Sequence, residues 1–78
     1  MQTVKAEIGE RLRLERKRLG LTQVDLTDKI DAGRLSMISF ECGRSTLRAD
    51  QLAVLDQLGF DILYIVTGRR SGIYVATS

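Results

Sequence analysis

The sequence predicts an all-α fold, and three observations carry that expectation. Over residues 4 to 19 the apolar residues recur at helical spacing, with Ile8, Leu12 and Leu19 to one side and Arg11, Arg13, Lys17 and Arg18 mostly to others. Two shorter segments, Gln23 to Ile30 and Arg34 to Cys42, are bracketed by capping and stop residues. Glycines at 20, 43, 59 and 68 stand where such segments would end, the place at which a left-handed backbone is favoured.

Each element has a local cause. The first helix spans residues 4 to 19 and is ended by Gly20; Gly9 inside it lowers helix propensity by about 1 kcal/mol relative to alanine, which the apolar stripe offsets, and Leu14 lies off the stripe. The Thr22 hydroxyl can accept from an otherwise unpaired backbone N–H, and Asp25 puts negative charge in the first turn, so a second helix is expected to start at Gln23. Leu26 and Ile30 give it an inward face, and Asp31-Ala32-Gly33 breaks it, with Gly33 able to cap the next. In that third helix Met37 and Phe40 share one face, leaving Arg34, Leu35, Ile38, Ser39 and Cys42 toward the other. A rotation of the helix would instead bury Leu35 and Ile38.

Gly43 to Ala49 reads as a loop, after which Asp50 is the expected cap of a fourth helix through Leu58, with Val54, Leu55 and Leu58 toward the core and Thr46 as a rival start. Phe60 to Val66 is rich in β-formers, so content alone favours a strand, although Asp61 can cap a short helix from Ile62 to Thr67 that Gly68 would end. Arg69 to Gly72 reads as a hinge. Ile73 to Ala76 is β-prone and able to pair with its copy in a second subunit, so the chain divides into a domain over 1–70 and a tail over 71–78.

Composition narrows the function classes. Seventy-eight residues with 44% hydrophobic content fit one small domain with too little interior for a deep substrate pocket. A chain this short without a disulfide framework commonly gains stability by oligomerising, and a homodimer is expected. Cys42 is the single cysteine and histidine is absent, so no metal, cofactor or catalytic residue is expected, and an enzyme is disfavoured. Asp25, Asp28 and Asp31 are better explained by capping and solubility than by a calcium loop, which needs its glycine turn and closing glutamate. Residues 1 to 48 hold ten basic and seven acidic side chains, and residues 49 to 78 hold two and three, so the positive excess lies in the N-terminal half and favours a polyanionic partner there. No run is apolar for long enough to span a membrane and no secretory signal is seen, so the expected place is the cytoplasm.

The residues Leu21-Thr22-Gln23, Leu26, Lys29-Ile30, Ser36, Phe40-Glu41 and Gly43, with Arg16 upstream and Leu58-Gly59 and Gly68 further on, resemble the lambdoid phage repressor and Cro type of helix-turn-helix DNA-binding protein, also described as the xenobiotic-response-element type. The likeness runs without a gap from about Ile8 to Gly68. Three positions depart from it: Thr27 stands where alanine is common, Asp31 where glycine is common, and Ile38 where a polar residue is usual.

The resemblance implies five helices, which favours a helix over residues 62 to 67. It further implies that the third helix enters the major groove of double-stranded operator DNA with Arg34, Leu35 and Ser39 toward the bases, while Gln23 contacts a phosphate; Ile38, on the same outward side, is added to the base-reading set by its chemistry. The loop carrying Gly43, Arg44, Thr46 and Arg48 would lie along the DNA backbone with its amides aimed at phosphates. Arg16 and Glu41 match a half-buried ion pair that ties the first helix to the third, and the same arginine can reach a phosphate. The chemistry is compatible: Arg34 can grip guanine O6 and N7 with its planar fork, Ser39 can pair with several bases, and Leu35 or Ile38 can pack on thymine methyls. The expected function is a sequence-specific transcriptional regulator, a repressor, acting as a homodimer. A second expectation, from a different class, is an antitoxin-like interaction module that binds a toxin-like protein through its tail and also binds DNA; the apolar Leu35, Ile38 and Ile73-Tyr74-Val75 support it.

Overall fold

The computed structural model describes residues 3–71, and within them the regular structure is entirely helical: α1 (Val4–Arg18), α2 (Gln23–Lys29), α3 (Arg34–Cys42), α4 (Ala49–Gln57) and α5 (Ile62–Thr67). The β-prone tail expected at residues 73 to 76 lies outside the described residues. α1 is the central strut, packing on both α3 and α5, while α2 packs on α3 and α4 on α5.

The caps explain the boundaries. Thr3 caps α1 by accepting from the Ala6 amide. At α2 the Thr22 hydroxyl accepts from the Asp25 amide at 3.1 Å and the Asp25 carboxylate accepts from the Thr22 amide at 2.8 Å, a reciprocal box that starts the helix at Gln23 as expected. The turn that follows is made by Asp31 at φ +53°, a left-handed residue of a type that tolerates this region.

α4 starts differently from the expectation that Asp50 or Thr46 caps it. Arg48 holds the cap position, and since arginine has no acceptor to offer, the link is made by Gln51, whose carbonyl oxygen accepts from the Arg48 amide at 2.9 Å. Asp50 lies inside the first turn, where it pairs with the Arg48 guanidinium at 3.0 Å. Asp61 does cap α5, accepting from the Tyr64 amide, and Gly68 closes it at φ +83°. The β-rich content of this stretch is therefore overruled by its two ends and by packing on α1, where the Arg11 guanidinium donates to the Ile65 and Val66 carbonyl oxygens.

Leu12, Leu26, Ile30, Met37, Phe40, Leu47, Leu55, Phe60 and Ile65 form one buried cluster, with Ile8, Leu19, Val54 and Leu58 partly buried against it. Leu47 pins the α3–α4 loop to this core, and Gln51, also buried, donates to the Ile30 carbonyl at the end of α2. Leu14, off the stripe, is exposed at 42%.

Two features of α1 go beyond its apolar stripe. Gly9 is buried where α1 crosses α3, and a Cβ there would run into the Phe40 and Glu41 carbonyl oxygens, so its hydrogen is what allows the approach. Glu15 is fully buried and accepts from the Arg18 guanidinium at 2.8 Å, the Asp61 amide at 2.8 Å and the Arg70 guanidinium at 3.0 Å. Burial alone would raise its pKa, but these donors outweigh it and hold the carboxyl at about 2.

Two outcomes follow. Gly9→Ala improves helix propensity yet is expected to lower Tm, by about 10 °C for a net loss near 2 kcal/mol, because overpacking against the α3 backbone dominates. A rise in Tm would contradict the crossing. For Glu15 the folded pKa lies below the unfolded 4.5, so its contribution, at most about 3 kcal/mol, is complete above pH 4.5 and is lost as pH falls toward 2. Urea midpoints measured across that window should fall less steeply for Glu15→Gln than for the parent, and parallel slopes would contradict the assignment.

Candidate nucleic-acid interface

The surface around α2 and α3 is organised by one carboxylate. Glu41, in the last turn of α3, accepts from Arg16 Nε at 2.7 Å and Arg16 Nη2 at 3.1 Å, a bidentate pair whose side chains are 6% and 11% exposed for Glu41 and Arg16 respectively. It also accepts from Gln23 Nε2 at 3.0 Å, while Arg16 Nη1 donates to the Leu21 carbonyl oxygen at 2.9 Å. One site therefore joins α1, the turn before α2, the first residue of α2, and α3. Arg16, expected either as a tie between helices or as a phosphate contact, makes the tie with three of its five N–H donors.

With Glu41 drawn inward, the rotation of α3 is set. Met37 and Phe40 are buried, whereas Leu35 is 82% exposed and Ile38 38% exposed, so the alternative rotation that buries Leu35 and Ile38 is not the one adopted. Arg34 is exposed at the first position of α3, and its guanidinium has no hydrogen bond or ion pair among the described residues. Ser39 is half-buried, and its Oγ is hydrogen-bonded to Ser45 Oγ at 3.1 Å. Of the four expected base-facing residues, Arg34, Leu35 and Ile38 share an open face and Ser39 sits at its margin.

Arg34 also borders an open recess of ≈ 350 Å³ whose other walls are Arg16, Thr22, Gln23 and Val24. Gln23 is thus placed beside Arg34, but one of its amide hydrogens is already given to Glu41.

In the loop after α3, expected to aim its amides at phosphates, the first three amides turn back onto the helix end. Gly43 takes φ +83° and packs on the Ala6 backbone, its amide donating to the Phe40 carbonyl oxygen; the Arg44 and Ser45 amides both donate to the Ser39 carbonyl oxygen. These three close the end of α3 in the manner of a left-handed cap. The Arg48 amide is given to Gln51, while the Thr46 and Leu47 amides have no acceptor among the described residues. Arg44 and Thr46 are exposed, and the Arg44 guanidinium has no partner among the described residues, whereas Arg48 is held by Asp50 in an exposed pair.

Sequence reasoning placed the outward residues of α3 but missed how many cations are internally consumed. Arg11 caps α5, Arg13 pairs with Glu10, and Arg18 and Arg70 serve Glu15. Their i,i+3 spacing to Glu10 and Glu15 was a signal for two of these pairs. No protein-family model, no curated protein and no solved structure matches the chain.

Because Ile38 sits on the surface, Ile38→Ser is expected to cost about 1 kcal/mol, against about 3 kcal/mol for truncating a packed isoleucine and burying the hydroxyl. Thermal melting separates the two, and the larger loss would mean that α3 is rotated from the orientation described.

Proposed function

We propose that the chain is a sequence-specific DNA-binding transcriptional regulator of the lambdoid repressor and Cro type, a repressor that binds operator DNA as a homodimer with α3 in the major groove. The observation that carries the reading is the outward face of α3. Its acid, Glu41, is neutralised inside the fold, its bulky Met37 and Phe40 are in the core, and the exposed side chains are an unpaired guanidinium, the aliphatic Leu35 and Ile38, and Cys42 at the helix end. Such a face suits a polyanion whose groove displays both acceptors and methyl groups. Arg44, unpaired on the adjoining loop, adds a cation for the DNA backbone.

Two-fold symmetry would let one short reading helix per subunit cover two half-sites about one helical turn apart. The exposed Leu63 and Val66, one turn apart on α5 and remote in sequence from the reading helix, support α5 as the contact between subunits. The same apolar positions also favour a second reading, an antitoxin-like module that binds a toxin-like protein partner. Purification of the protein with a second bound chain in fixed ratio would favour that reading.

The test is retention of DNA from the upstream region of the protein's own coding sequence, against random DNA, at two salt concentrations. Specific retention at the higher salt is expected, and equal retention of both would reject sequence-specific reading. Arg34→Ala is expected to weaken the specific complex by about 1 to 3 kcal/mol and random DNA much less, whereas Arg44→Ala should weaken both alike and make the salt slope shallower. Equal losses on both DNAs for Arg34→Ala would make it a phosphate contact.

A further inference from the structure

We infer that α3 recognises its site chiefly through thymine 5-methyl groups, with Leu35 and Ile38 as the residues that set specificity; this rests on the DNA-binding reading above. The polar side chains of the reading face are fewer than its sequence implies. Ser39 is half-buried and its Oγ accepts from Ser45 Oγ, so it keeps only its own O–H to donate, and the Arg34 fork is the exposed, unpaired hydrogen-bonding group among the four outward residues. Beside it stands Leu35, at 82% the most exposed large apolar side chain among the described residues, with Ile38 three residues on and so on the same side of the helix.

An aliphatic side chain makes no hydrogen bond to a base edge. The apolar group that the major groove offers it is the thymine C5-methyl, and contact there removes from water a surface that the free protein leaves exposed. Charge argues for a nucleic acid as the occupant in preference to a protein's apolar surface. α3 shows no free carboxylate outward, because its single acid is bound by Arg16 and Gln23, while Arg34 and Arg44 on and just after the helix are unpaired. The resulting discrimination is of A·T pairs, and of their orientation, around a guanine gripped by Arg34.

The experiment selects a preferred site from random double-stranded DNA with the full chain, then replaces each thymine of a half-site in turn by deoxyuridine, which lacks only the methyl. Loss of about fourfold in affinity is expected at one or more positions, the amount that corresponds to one buried methyl-sized group. The loss should vanish in Leu35→Ala or in Ile38→Ala, whose melting curves report that the fold is intact. Deoxyuridine tolerated at every position, with the unmodified site still preferred over random DNA, would overturn the inference; so would losses that persist unchanged in both variants. Absence of any preferred site would overturn it together with the DNA-binding reading, and is distinguishable because the preference is missing before any thymine is altered.

Discussion

The orientation of α3 depends on the Glu41 carboxylate. Its oxygens receive two hydrogen bonds from Arg16 on α1 and one from Gln23 at the start of α2, and Arg16 in turn holds the Leu21 carbonyl oxygen. A pair so removed from water is weak evidence for stability, because desolvation offsets its attraction. Its consequence is geometric: losing either partner leaves a buried charge, so α3 has one rotation in which all groups are satisfied. Two backbone contacts reinforce this, Gly9 against the Phe40 and Glu41 carbonyls at one point and Gly43 against Ala6 at another. The outward face of α3 is thus a result of what its inward face must meet.

A second carboxylate does similar work on the other side of α1. Glu15 gathers Arg18, the Asp61 amide and Arg70, and Arg70 also lies over the Tyr64 ring at 3.8 Å from its centroid. This fixes the entry to α5 and the chain just beyond it. The two hubs lead to a different accounting of charge from the one that composition implies. Five of the ten cations in residues 1 to 48, Arg11, Arg13, Arg16, Arg18 and Arg48, are engaged by other groups of the fold, and among the described arginines the side chains of Arg34, Arg44 and Arg69 are left without a partner. Two of those three arginines lie at α3 or just after it, while the side chains of Lys5 and Lys17 on α1 and Lys29 on α2 likewise make no hydrogen bond or ion pair among the described residues.

Local signals made much of the fold legible. Thr22 and Asp25 are three residues apart and form their box without help from elsewhere, and Asp31 takes a left-handed backbone at the position where the resemblance has glycine. What stayed hidden depends on residues distant in the chain. Glu15 reads as one more solvated acid on a charged helix, since two of its donors lie 46 and 55 residues away. Gln51 looks like a surface residue until Ile30, 21 positions back, is placed against it, and Gly9 looks like a defect in a helix until α3 is laid across it. At the site, the outward residues follow from the helical period once Met37 and Phe40 are assigned to the core. The engagement of Ser39 by Ser45, and of the loop amides by α3, does not follow, because it requires the geometry of the helix end.

The central claim is that the outward face of α3 is where DNA is held. Backbone-amide and methyl NMR shifts, recorded while double-stranded DNA is added, test it most directly. The account predicts that the largest changes fall on Arg34, Leu35, Ile38 and Ser39, extend to Arg44 and Thr46, and leave Leu55 and Ile65 in the core unmoved. Changes centred on α4 or α5, with α3 unaffected, would contradict it.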